Sequence, residues 1–308
     1  MGECMKKKEL LYVFIGTILI VVSSIVLFYG LNKLVDDNRK ETITNDILFT
    51  KETLPRVDAS LATQPLVDAF VLNFTGKTTK EMDVAYTNTH PGYVKLINNE
   101  TDLIVVTEPS KEELELAKEK GIELDVTPVV NEGFVFFVNK ENPVNSVSLD
   151  NIRKIYTGEI TNWKDLGGND AKMVVYQRPT NSGSQTGLLS LVMNGLTVKV
   201  PTLQEKIETM SGIVDVVADY DNGINAIGYS YYYYANTMYK NDKLKYLAIN
   251  GVEPNYTTIQ NGTYPIKTAY YIVTRKGENN TETLKLKESM LSKRGQQVAS
   301  EAGYVPVN

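Results

Sequence analysis

The chain has 308 residues, of which 42% are hydrophobic and 22% are charged, a composition typical of a globular protein rather than a disordered or fibrous one. A net charge of −5 argues against a nucleic-acid-binding protein, because no basic field is available to attract phosphate backbones. The single cysteine, Cys4, and the single histidine, His90, exclude an internal disulfide and argue against a Cys/His metal site or a histidine-based catalytic triad. We therefore predict no metal, no cofactor and no enzymatic activity.

The first feature in chain order is an uncharged apolar segment from Leu10 to Leu31. As a helix it would be about 33 Å long at roughly 1.5 Å per residue, which is enough to span a bilayer. No small-residue cleavage site follows the segment, and Cys4 precedes it, so we expect neither removal as a signal peptide nor lipid attachment at that cysteine. The lysines before the segment favour a cytoplasmic N-terminus. We predict a single-pass cell-membrane protein with a cytoplasmic tail (1–9), a transmembrane anchor (10–31), a linker (32–54) and an extracytoplasmic remainder.

From Val57 onward, short apolar runs alternate with amphipathic stretches, which is the pattern of an α/β protein. The apolar runs predict strands at Leu103–Thr107, Phe134–Asn139, Lys172–Tyr176, Ala226–Tyr229 and Ala269–Thr274. Helical spacing predicts helices from Ser110 to about Lys120, over Leu149–Tyr156, over Gly187–Met193, and over Leu284–Ala302 as one helix or a pair. Ser110 and Glu113 form a capping-box pattern at the start of the first of these helices.

The segment from Tyr176 to Thr186 contains the parts of an anion site. It leads from a predicted strand into a predicted helix, whose first backbone N–H groups are free and carry the positive end of the helix dipole. Hydroxyls at Ser182 and Ser184 add donors, Gly183 lets the backbone approach a ligand, and Arg178 can donate to two oxygens at once. An ordinary N-capped turn without a ligand explains the same residues, and both interpretations stay open at this point.

A longer stretch, Ile155–Gly168, resembles one that recurs in the phosphate-binding proteins of bacterial phosphate ABC transporters. Arg178 and Ser182–Ser184 stand where that family has its arginine and its Ser-Gly-Thr phosphate loop. Similar segments elsewhere extend the resemblance over roughly residues 55 to 308; they are Ala226–Tyr229, Tyr264–Ile266, Gly295–Gln297 and Gly303–Pro306. The resemblance implies a type II periplasmic-binding-protein fold, an α/β fold of two lobes joined by crossover strands. Residues 55–133 with 267–308 would form lobe 1, and residues 134–266 lobe 2.

The resemblance also implies further ligand-binding residues in lobe 1. Ser60 lies in the turn before the first helix, Thr89 and His90 lie in a second donor turn, and Glu108 follows a predicted strand. The family often has an aspartate two residues after its arginine, where this chain has Thr180. Because that carboxylate would accept a hydrogen bond from protonated phosphate, its absence leaves selectivity between phosphate and sulfate open. Glu108 is a candidate substitute, although a solvated glutamate at a strand end is equally consistent.

Two functions follow from these observations. The first is an extracytoplasmic solute-binding protein that captures phosphate or a related small oxyanion between its lobes and delivers it to an ABC permease. The alternative is a membrane-tethered sensor or interaction module that has the same fold with an altered or lost ligand. The resemblance favours the first, while the replacement of the aspartate by Thr180 motivates the second.

Overall fold

The computed structural model describes residues 46–219 and 223–307. From Ile47 onward the chain forms one compact unit. The predicted tail (1–9) and anchor (10–31) lie outside the described residues, as does the linker up to residue 45. Within the described part, no helix is both long enough and apolar enough to cross a membrane.

Ten strands are present in the described residues. In chain order they are β1 (Val57–Ala59), β2 (Leu103–Val106), β3 (Leu124–Asn139), β4 (Ser146–Val147), β5 (Val174–Val175), β6 (Ala226–Tyr231), β7 (Leu244–Tyr246), β8 (Ala248–Ile249), β9 (Lys267–Arg275) and β10 (Val305–Pro306). All but β4 and β8 join one sheet, whose main path runs β1-β2-β9-β3-β6-β5.

The described residues also form nine α-helices. They are α1 (Gln64–Thr75), α2 (Thr89–Ile97), α3 (Lys111–Glu119), α4 (Leu149–Thr157), α5 (Gly183–Gly187), α6 (Met210–Ala218), α7 (Tyr256–Gln260), α8 (Thr281–Leu291) and α9 (Lys293–Glu301). A 3₁₀ turn at Leu61–Thr63 leads directly into α1, and a π-helical stretch at Leu188–Met193 continues α5.

Strand β3 joins two portions of the sheet. Its first part, Leu124–Gly133, pairs antiparallel with β9, which in turn pairs with β2. Its second part, Phe134–Asn139, pairs antiparallel with β6 and β7. The core is continuous through this crossing, where Phe134 packs against Tyr229 and Tyr231 with ring centroids 5.5 Å apart in both pairs.

The predicted α/β class is confirmed, and helix ends with local signals are close to their predicted positions. Ser110 and Glu113 form the expected capping box of α3, and Gly158 ends α4 with a φ of 86°. The predicted C-terminal segment is a pair of helices, α8 and α9. The predicted strand Phe134–Asn139 is only the second part of β3. The first part, Leu124–Gly133, is more polar and pairs with a strand that is distant in sequence.

Candidate functional site

A cavity of about 310 Å³ lies where the beginnings of four helices meet. Its lining residues come from the turn before α1, the start of α2, the residue after β2, the segment before α5, the start of α6 and the helical stretch after β6. They are Ser60, Leu61, Ala62, Asn88, Thr89, His90, Pro91, Thr107, Arg178, Asn181, Ser182, Gly183, Glu208, Thr209, Met210, Ser211 and Tyr234.

The four helix beginnings give the cavity a positive electrostatic character. The 3₁₀ turn before α1 begins after Ser60, α2 after Asn88, α5 after Ser182 and α6 after Thr209. The first N–H groups of a helix have no partner inside the helix, and the helix dipole places partial positive charge there. Their convergence on one cavity is an arrangement that binds an oxyanion.

Arg178 presents free guanidinium nitrogens at this cavity. Its backbone N–H is fixed by Gln185 Oε1 at 3.0 Å and by Tyr229 Oη at 2.9 Å, and its Nη2 donates to the carbonyl oxygen of Glu208 at 3.0 Å. Nε and Nη1 are buried and have no partner among the described residues. Burial lowers the pKa of the guanidinium from its ordinary value, yet an arginine stays charged in proteins. Arg178 therefore gives the cavity a positive charge and two nitrogens that can still donate hydrogen bonds.

Two hydroxyls close to Gly183 are also buried without a partner. Thr107 Oγ1 and Ser184 Oγ make no hydrogen bond with the described residues, and the two side chains are 1% and 0% exposed. A buried polar atom without a partner costs about 1–3 kcal/mol. Thr107 lines the cavity and Ser184 follows the lining Gly183, so these unpartnered atoms indicate that a bound polar ligand completes the site.

Gly183 allows two parts of the site to approach each other closely. A Cβ added at Gly183 would lie 2.5 Å from Thr107 Oγ1 and 2.8 Å from Thr89 Oγ1. Any side chain at this position would therefore push the start of α5 away from the two threonines. Glycine keeps the hydroxyls and the first N–H groups of α5 within reach of one small ligand.

Asp58 positions the turn before α2. Its buried carboxylate accepts hydrogen bonds from the backbone N–H and the hydroxyl of Thr87, at 2.9 and 2.6 Å, and forms an ion pair with Lys95 at 3.0 Å. The next residue, Asn88, has a φ of 75° and a ψ of 177°, a backbone conformation that is costly for any residue except glycine. The hydrogen bonds between Thr87 and Asp58 hold the strained Asn88 at the cavity.

His90 is oriented by a buried carboxylate. Its Nδ1 lies 3.0 Å from Glu113 Oε1, and the side chain of Glu113 is only 1% exposed. Glu113 Oε2 accepts from the backbone N–H of Ser110 at 2.6 Å as part of the capping box. The histidine ring is thus fixed at the cavity by a carboxylate that is itself fixed.

Six of the eight residues predicted as ligand-binding line the cavity; they are Ser60, Thr89, His90, Arg178, Ser182 and Gly183. Ser184 lies directly behind Gly183 and is fully buried. Glu108 is not among the lining residues: its carboxylate contacts the hydroxyl of Ser190, and burial raises its pKa.

The sequence interpretation missed Thr107 and the start of α6. The apolar run places Thr107 at the end of a strand, and the family resemblance favours the next residue, Glu108. The start of α6 had a local indication, since Thr209 precedes an apolar run and its hydroxyl accepts from the N–H of Gly212 at 3.0 Å. No group of three His, Cys, Asp or Glu residues in the described part could hold a metal ion.

A family model described as a PBP superfamily domain matches residues 52–293. Among curated relatives, the phosphate-binding protein PstS of Bacillus subtilis is 30% identical over 57% of this chain and 55% of that protein. The phosphate-binding protein PstS of Borreliella burgdorferi is 25% identical over 83% of this chain and 91% of that protein.

Solved structures show the same fold. A phosphate ABC transporter substrate-binding protein of Clostridium perfringens, solved with bound phosphate, has a TM-score of 0.65 and 25% identity, with 82% of this chain and 99% of that chain covered. An ABC-type phosphate transport receptor of Vibrio cholerae has a TM-score of 0.64 at 19% identity over the same shares. Because the family model covers most of its length, the chain belongs to the PBP superfamily.

Proposed function

We propose that this protein is an extracytoplasmic solute-binding protein that captures phosphate, or a related small oxyanion, for uptake by an ABC permease. One observation carries the proposal: Arg178 and Thr107, which line a cavity formed by four helix beginnings, have side-chain atoms without partners, and so does Ser184, the residue after the lining Gly183. Within the described residues no carboxylate forms an ion pair with Arg178, so its charge is available to a ligand. We propose Ser60, Thr89, His90, Arg178, Ser182, Gly183 and Ser184 as ligand-binding residues, with Thr107 as an addition.

The relatives support phosphate as the ligand. Two curated relatives are named phosphate-binding proteins, and the Clostridium perfringens structure contains bound phosphate. A permease is the corresponding partner, because the similar proteins of solved structure include a phosphate ABC transporter substrate-binding protein and an ABC-type phosphate transport receptor. The proposed activity is binding and delivery, with no chemical step on the ligand.

We propose a different role for Glu108 from that of the residues that contact the ligand. Its contact with Ser190 joins the segment after β2 to the helix that continues from α5. Glu108 does not touch the ligand in this proposal; its contact with Ser190 helps to hold the cavity closed.

We propose two lobes, residues 55–133 with 267–308 and residues 134–266, that close on the ligand. The pairing of β3 supports this division, since its partner changes from β9 to β6 between Gly133 and Phe134. The cavity supports it too, because Thr89 and Thr107 come from one portion and Arg178 and Gly183 from the other.

We further propose that residues 10–31 anchor the protein in the cell membrane with a cytoplasmic N-terminus. The uncharged run and the lysines before it support this. The alternative of a tethered module that has lost its ligand fits less well. Buried donors that no ligand satisfies would lower the stability of the protein without any gain in binding.

Calorimetric titration of the purified full chain tests the proposal. We expect heat of binding and saturation with phosphate, and a weaker response with small organic anions such as acetate. Absence of heat with phosphate, sulfate and acetate alike would overturn the assignment of an oxyanion site.

A further inference from the structure

We propose that His90 selects oxyanions that carry a hydroxyl group, because Glu113 holds its ring in the tautomer whose Nε2 accepts a hydrogen bond. This inference rests on the proposed function, since it concerns which oxyanion the cavity prefers. His90 is then the specificity-determining residue and Glu113 its positioning residue.

The contact with Glu113 fixes the tautomer of His90. An ionised carboxylate only accepts hydrogen bonds, so the Nδ1 of His90, 3.0 Å from Glu113 Oε1, must carry the hydrogen. In a neutral ring the other nitrogen, Nε2, then has a free lone pair. Glu113 cannot turn away easily, because its Oε2 accepts from Ser110 N at 2.6 Å and its side chain is buried. No hydrogen bond joins Nε2 to another described residue, so it is left for the cavity that His90 lines.

The rest of the cavity offers mainly hydrogen-bond donors. The helix beginnings and Arg178 supply donors, and two lining hydroxyl oxygens already accept from backbone N–H groups, Ser182 from Gln185 and Thr209 from Gly212. Those hydroxyls therefore have their hydrogens left to donate.

The one lining carboxylate belongs to Glu208, and it faces solvent. The side chain of Glu208 is 74% exposed and its nearest cation is Lys206, at 4.0 Å. Glu113 lies behind the ring of His90, and the charged residues in the described lining are Arg178 and Glu208. Apart from Glu208, the described lining side chains with hydroxyl or amide groups can donate as well as accept, whereas the Nε2 of His90 in this tautomer can only accept.

A single fixed acceptor distinguishes phosphate from sulfate. The phosphate dianion has one hydroxyl, which must donate a hydrogen bond once it is buried, and Nε2 accepts it. Sulfate is a dianion of the same shape without a hydrogen, so one of its oxygens would face the Nε2 lone pair unpaired. The arrangement favours phosphate over sulfate by a mechanism that does not need an aspartate in place of Thr180.

The test compares phosphate with sulfate on the full chain at mildly alkaline pH, where phosphate is the dianion and the two charges match. In Glu113→Gln the amide oxygen can still accept from Ser110 N while the NH₂ group donates to Nδ1, which forces the hydrogen onto Nε2. We expect the ratio of sulfate to phosphate dissociation constants to fall by about tenfold or more. Removing one negative charge should strengthen the binding of both dianions to the same degree, and this effect cancels in the ratio.

Glu112→Gln is the matched control, because it removes one charge from the same first turn of α3 at an exposed position. We expect it to leave the ratio unchanged. His90→Phe is the second variant: it removes the acceptor, so phosphate should bind about tenfold more weakly while sulfate does not weaken. Thermal melts of each variant verify folding.

A spectroscopic measurement reports the tautomer directly. Because the chain has one histidine, ring ¹⁵N resonances of the untagged protein belong to His90 alone. We expect Nδ1 protonated in the wild type and Nε2 protonated in Glu113→Gln. If neither anion binds the wild type, the proposed function fails together with this inference. If phosphate binds but both variants keep the wild-type ratio, or sulfate binds the wild type more tightly, this inference is overturned while the proposed function stands.

Discussion

Arg178 combines a fixed backbone with an incompletely used side chain. Three hydrogen bonds hold it, two at the backbone N–H and one at Nη2, while Nε and Nη1 remain without partners in the described part of the protein. A guanidinium held this way loses little side-chain entropy when a ligand arrives, which is how a preorganised site gains affinity.

We expect Arg178→Ala to weaken phosphate binding by about 1.5–3 kcal/mol, the usual range for a hydrogen bond to a charged group. Titration calorimetry on the full chain measures the change. Arg153→Ala is a suitable control, because that arginine is outside the cavity and already pairs with Asp150 at 2.8 Å. Equal affinity of wild type and Arg178→Ala would remove Arg178 from the site.

At the scale of elements, the site depends on helices that begin at the same place. The starts of α2 and α5 approach so closely that only glycine fits at position 183, beside the hydroxyls of Thr89 and Thr107. The segments that provide these residues follow strands of different sheet portions, so the fit exists only when the two portions are close together.

We expect Gly183→Ala to weaken phosphate binding by about 1–3 kcal/mol, the usual cost of inserting a methyl group into a filled space. Calorimetry reports the affinity, and denaturation reports the free energy of unfolding. Gly92→Ala serves as the control, because a Cβ there would meet Val106 at 3.8 Å, an ordinary contact.

The control has its own expected result. Gly92 lies inside α2, so alanine should raise the free energy of unfolding by about 0.5–1 kcal/mol and leave phosphate affinity unchanged. Wild-type affinity in Gly183→Ala would mean that the two threonine hydroxyls stand farther from α5 in the ligand-bound protein.

At the scale of the whole molecule, a buried carboxyl lies where β3 passes from one sheet portion to the other. Glu132 is 2% exposed and accepts hydrogen bonds from the backbone N–H of Gly133 at 2.8 Å and of Tyr233 at 3.2 Å. Burial raises the pKa of Glu132 to about 8 despite these bonds. The folded protein therefore keeps a proton that the unfolded chain releases.

The sign of the pH dependence follows from this shift. Between about pH 4.5 and 8 the folded state holds the proton while the unfolded state does not, so this group makes the free energy of unfolding fall as pH rises, by at most about 1.4 kcal/mol per pH unit. We expect Glu132→Gln to remove this contribution and to be more stable than the wild type above that window. Its amide oxygen can accept the same N–H bonds.

Urea denaturation at pH values below, within and above the window measures the effect. Glu119→Gln, at an exposed position of α3, is the control and should reproduce the wild-type profile. Parallel stability profiles for wild type and Glu132→Gln would contradict a raised pKa at this crossing.

The sequence by itself determined the features that depend on interactions between neighbouring residues. The cap of α3 at Ser110 and Glu113, the end of α4 at Gly158 and the strand-to-helix segment containing Arg178 and Gly183 were all predictable, because each depends on hydrogen bonds or backbone angles within a few residues.

Only the tertiary structure decided which side chains share the cavity. The start of α6 enters the site from residues 209–211, and Thr107 rather than Glu108 faces the cavity. The pairing of the first part of β3 with β9 joins residues more than a hundred positions apart. Such contacts depend on how the sheet portions and helices pack, and packing of distant segments leaves no periodic pattern in the sequence from which it could be inferred.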